Sequence, residues 1–62
     1  MEEKKLELLN KVKKLLDEVE DLEIELALFE NDNNLDKKYA SQSADFAWDE
    51  LLNVKNVLED LQ

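Results

Sequence analysis

The chain has 62 residues and a net charge of −9, from 17 acidic and 8 basic side chains, and it contains no Cys, His, Gly or Pro. These absences exclude disulfides, thiolate zinc sites, histidine general bases and any kink or tight turn that depends on Gly or Pro. So short a chain forms one domain over 1–62 and seldom buries enough apolar surface alone, which leaves oligomerisation as the stabiliser.

The first element is a helix predicted over 2–30. Glu2 and Glu3 suit the positive end of its dipole. Leu8, Val12, Leu15, Val19, Leu22, Leu26 and Phe29 follow one another by steps of four and three, the spacing of an apolar stripe that must pack on another helix. In heptad letters, Val12, Val19 and Leu26 take position a, and Leu8, Leu15, Leu22 and Phe29 take d. Leu9 and Leu16 fall at e and widen the stripe to the three-position face of a bundle helix.

Asn31, Asp32, Asn33 and Asn34 form the predicted loop, 31–34. Asn and Asp accept left-handed backbone and make local side-chain bonds, so they end one helix and cap the next. Asp32-x-Asn34-x-Asp36 resembles the opening ligands of a calcium-binding EF-hand loop. Lys37, however, stands where the turn glycine belongs, and Ser43 where the bidentate Glu belongs. Turn formation and capping are the expected roles.

A second helix is predicted over 35–61, with a start near Ala44, capped by Ser43, as the alternative. Its stripe is Ala40, Ala44, Ala47, Leu51, Val54, Leu58 and Leu61. Folded back, the three alanines are expected to face Val19, Leu22 and Leu26, small residues against large. Trp48, at e, reads as a residue of the core edge.

Charge is distributed unevenly. Residues 1–14 carry five Lys and three Glu, and residues 15–32 carry eight acids and no base. In an antiparallel hairpin the basic start of the first helix lies beside Asp49, Glu50, Glu59 and Asp60. The acidic half meets only Lys37 and Lys38. At position g the first helix reads Lys4, Lys11, Glu18, Glu25, so a two-fold axis beside Lys14 and Leu15 sets Lys4 against Glu25 and Lys11 against Glu18 of a second copy. Exposed pairs of this kind select a geometry more than they stabilise it.

The expected fold is therefore all-α: an antiparallel two-helix hairpin that dimerises into an antiparallel four-helix bundle. Leu8, Val12, Leu15, Val19, Leu22, Leu26, Leu51, Val54 and Leu58 form its expected core. This plan resembles the repressor-of-primer hairpin dimer in length and architecture. That family's basic, polar RNA-binding face has no counterpart here, so the resemblance implies a fold and not a function.

Some large apolar residues leave the stripes. Ile24 and Leu28 on the first helix, with Tyr39 and Phe46 at c on the second and Leu35 near the turn, form the candidate partner patch, ringed by Glu20, Asp21, Glu23 and Asp32. Glu20-x-x-Glu23 resembles the carboxylate pairs by which helical nucleotide pyrophosphatases hold magnesium, but no facing acidic pair or triphosphate-gripping basic cluster accompanies it. The expectation is a non-enzymatic protein without cofactor or metal, acting as adaptor or inhibitor. Its partners are a second copy of itself and a further protein, basic if recruited by charge. A polyanion is repelled by nucleic acid and anionic membranes, and no apolar run reaches membrane-spanning length, so a cytoplasmic location is expected. The alternative is an acidic decoy that mimics nucleic acid and occupies the basic groove of a DNA- or RNA-binding protein.

Overall fold

A computed structural model describes residues 2–61. The protein is all-helical. Helix α1 (Glu2–Asp32, 31 residues) and helix α2 (Tyr39–Asp60, 22 residues) pack antiparallel as a hairpin, a rod 48 Å in its longest dimension. Among the described residues no helix is long and apolar enough to cross a membrane.

The turn differs from expectation at both of its edges. Helix α1 runs through Asn31 and Asp32 before it ends, and Asn34 takes φ 54°. The Leu35 N–H donates to the Glu30 carbonyl at 3.0 Å and the Asn34 N–H to the Asn31 carbonyl at 3.2 Å. This paired closure, with a left-handed residue between the helix and the departing chain, satisfies carbonyls that the helix leaves unpaired. Asn replaces Gly there because its short polar side chain tolerates the left-handed region. The Asn33 amide also donates to the Phe29 carbonyl, at 2.8 Å. Asn33 and Asn34 thus terminate α1, where the sequence suggested that one of them would cap α2.

Helix α2 begins at Tyr39, between the two predicted starts at Leu35 and Ala44. Residues 35–38 carry the chain sideways to the second axis, a displacement of about 8–10 Å for packed helices. Ser41, Gln42 and Ser43 are helical, so the stripe continues without interruption.

The seam of the hairpin uses positions a and e of both helices. Val12 and Leu16 from α1 and Ala44 from α2 are buried. Leu9, Val19, Trp48, Leu51, Lys55 and Leu58 are half-buried. Of the three alanines expected to face α1, only Ala44 does so; Ala40 and Ala47, at d, are exposed.

Candidate functional site: an open apolar face

Positions a and e lie about 40° apart around a helix of 3.6 residues per turn, and d lies on the flank beyond a. When both helices of an antiparallel pair meet through a and e, both d rows fall on the same side of the hairpin. Leu15, Leu22, Phe29, Val54 and Leu61 occupy that side and are 44–58% exposed. Val57, at g, is exposed beside them, and Leu8 is half-covered. The opposite, b flank is mixed: Lys13 of α1 attracts Glu59 of α2, beside an exposed Leu6 and a half-buried Leu52. The d flank is the more continuously apolar of the two.

Two clamps set the register of that face. At the loop end Glu30, at e, is the most buried side chain of the hairpin at 2% exposure. Its Oε2 accepts the N–H of Ala40 at 3.1 Å and of Ser41 at 3.4 Å. These are free donors of the first turn of α2, whose cap residue, Lys38, makes no side-chain capping bond. Glu30 of α1 thus caps α2 from across the seam. Hydrogen bonding by the Ser41 side chain, then by the two amides, with attraction from Lys38, holds its carboxyl below the ordinary value despite the burial that opposes ionisation. The Ser41 hydroxyl also lies 3.3 Å from the Lys38 carbonyl; its single proton serves one acceptor at a time. Glu30 Oε1 is buried and has no hydrogen-bond partner among the described residues.

At the other end Lys5 Nζ donates to the Leu61 carbonyl at 2.5 Å, placing a cation at the negative end of α2. Close by, Lys55 donates to Glu59 at 2.8 Å. That bond chiefly, aided by Lys13 and Lys5, lowers the Glu59 carboxyl. Helix α1 therefore supplies the anion at one end of α2 and the cation at the other. Neither role shows in composition, because Glu30 belongs to an acidic run and Lys5 to a basic one.

The expected core residues divide between the two surfaces. Val12 is in the closed seam, and Leu8, Val19, Leu26, Leu51 and Leu58 lie half-covered along its edge. Leu15, Leu22 and Val54 face outward. Lys4, Lys11, Glu18 and Glu25 are exposed along the rim of the open face; Lys4 lies 3.7 Å from Glu7 on its own helix. Ile24, Leu28, Tyr39 and Phe46 are exposed as well; Leu28, Tyr39 and Phe46 fall at c, opposite the seam on the outer sides of their two helices, and Ile24 falls at f, on the outer side of α1 toward the b flank. Lys37 stands over the Tyr39 ring at 5.7 Å.

Asp32, Asn34 and Asp36 fall in a helix end, a left-handed turn residue and the connecting segment. No group of three or more acids among the described residues is placed to hold a metal ion. A shallow groove of 580 Å³ beside the loop is lined by Glu23, Asp36, Lys37, Tyr39, Gln42 and Asp45, among others, with no coherent sign of charge. Comparison with protein-family models, with curated proteins and with solved structures gave no match to this chain.

Proposed function

We propose that this protein is a small, non-catalytic interaction module that works as a homodimer. Two hairpins close their open faces on each other into a four-helix bundle, which then acts on another protein as adaptor or inhibitor. The observation that carries this reading is the open face itself. In a four-helix bundle each helix meets one neighbour through its a and e side and the other through its d and g side. The hairpin has the first contact within itself and leaves the second unmade.

Area supports the same reading. The hairpin exposes 5096 Å², whereas a compact monomer of 7.3 kDa exposes about 4,200 Å². The hairpin's 5096 Å² exceeds that reference by about 900 Å², close to the roughly 800 Å² that each partner buries in an interface of standard size. The absence of His and Cys supports a non-catalytic role.

Sedimentation equilibrium at micromolar concentration tests the dimer. The expected mass is twice that of the chain, and a stable folded monomer overturns the reading. Capture of a partner from the native cell, repeated at rising ionic strength, tests the rest. Binding that persists in salt supports an apolar contact, and binding lost steeply supports the acidic decoy instead.

A further inference from the structure

We propose that the second copy packs with α1 on α1 and α2 on α2, both antiparallel, about a two-fold axis that crosses the d rows at Leu15 and Val54. This rests on the dimer reading above and adds to it the arrangement of the partner. The hairpin register makes the argument possible. The Lys5–Leu61 and Glu30–Ala40 clamps fix the ends. Averaging the two offsets places Leu8, Leu15 and Leu22 within about one residue of the level of Leu61, Val54 and Ala47 respectively. The open face is thus a ladder of d rungs, each with one residue from either helix.

Only a few positions of the axis bring rung onto rung. With the axis at the Leu15–Val54 rung, that rung meets its own copy, and the Leu8–Leu61 rung meets Leu22 and Ala47 of the second hairpin. Along the α1 rim Lys4 then faces Glu25 and Lys11 faces Glu18, each twice. Along the α2 rim Glu50 faces Val57. Moving the axis half a heptad toward the loop, midway between Leu15 and Leu22, covers more surface. It also sets Glu18 against Glu18 and Glu50 against Glu50 on the axis itself. Both helices independently disfavour that position, since directly opposed like charges repel across an interface.

A parallel arrangement, α1 on α2 of the second copy with both loops at one end, brings together the two acidic runs of residues 15–32, each of eight acids. Charge order and rung register thus select the same axis. The result is a rod with its two loops at opposite poles, each carrying an exposed Phe29 beyond the overlap.

Site-directed cross-linking with a short bifunctional maleimide tests this arrangement on the full chain, after sedimentation has established a dimer. Leu15→Cys is expected to cross-link to itself in high yield. Leu22→Cys is expected not to do so alone, but to join Leu8→Cys when the two variants are mixed. Self-linking of Leu22→Cys as strong as that of Leu15→Cys overturns the arrangement in favour of a parallel one. Linking of Leu15→Cys to Leu22→Cys overturns it in favour of the shifted axis. As a second measurement that leaves the interface intact, spin labels at Asp36→Cys are expected about 55–60 Å apart, from 1.5 Å of rise per residue. A separation under about 25 Å overturns the proposal while leaving the dimer standing, and a monomer at the sedimentation step overturns both.

Discussion

The two apolar surfaces of this hairpin differ in how they are completed. The a and e seam is closed within the chain, where Val12, Leu16 and Ala44 are buried and polar clamps lock both ends. The d face is built from residues just as apolar and has no cover of its own. A single heptad stripe on each helix has been divided lengthwise, one edge closed within the fold and the other left open. A continuous stripe in a short chain can therefore describe two interfaces, and only the rotation of the helices about their axes separates them.

Breaking the open face is expected to have the largest effect. Replacing Leu15 and Leu22 together by Asp removes four leucines from each dimer, worth at most about 6–12 kcal/mol at 1.5–3 kcal/mol per fully buried side chain. Sedimentation is expected to find only monomer, and the melting temperature is expected to lose its dependence on concentration. An unchanged dimer would show that the seam alone accounts for the stripe. Leu16→Ala attacks the seam instead, at a cost of about 3 kcal/mol per chain. For a domain of this size, with about 3–9 kcal/mol in total, much of the helical circular dichroism at 37 °C is expected to disappear.

Charge substitutions sharpen the comparison without cutting into either surface. Lys11→Glu is expected to weaken the dimer by about tenfold, since two rim pairs of at most about 1 kcal/mol each are reversed. Adding Glu18→Lys is expected to restore the affinity, which no effect on the isolated hairpin would achieve.

Glu30→Gln probes the seam's clamp. Glu30 and Glu59 both titrate below the ordinary carboxylate value of 4.5. Their contribution to stability is therefore complete above that value and is lost as pH falls through the lowered ones. The variant is expected to melt below the wild type at neutral pH, with the gap closing as the pH falls below 4.5. Faster hydrogen exchange at Ala40 and Ser41 would locate the change at the first turn of α2. The smallest effect is expected for Tyr39→Ser with Phe46→Ser. Both side chains lie on the outer side of α2, so melting temperature and dimer mass are expected to stay within error.

Periodicity made the helices legible, together with their antiparallel pairing and the approximate place of the turn. It did not show which edge of the stripe would close the hairpin, because a, d and e are all apolar along much of α1 and the choice depends on the path of the loop. The longer turn escaped for a related reason. Asn33 and Asn34 suit either role, since Asn serves equally at a helix start and in a left-handed helix stop. Glu30 was hidden among its acidic neighbours. Two signals could have found it: an acid at an e position in register with Leu9 and Leu16, and a second helix whose first residues, Lys38 and Tyr39, offer no capping oxygen.

The borrowed ends of α2 also bear on the order of assembly. Helix α1 leaves the ribosome first, already carrying the carboxylate and the ammonium that α2 lacks. Helix α2, whose N-cap makes no side-chain bond of its own, owes most of its helicity to packing, so it is expected to take shape on α1 as on a template, starting from the turn where Glu30 waits. A cut within residues 33–38 would leave the two pieces unequal: α1 keeps its acidic start, whereas α2 retains a helical sequence with nothing to hold it in register.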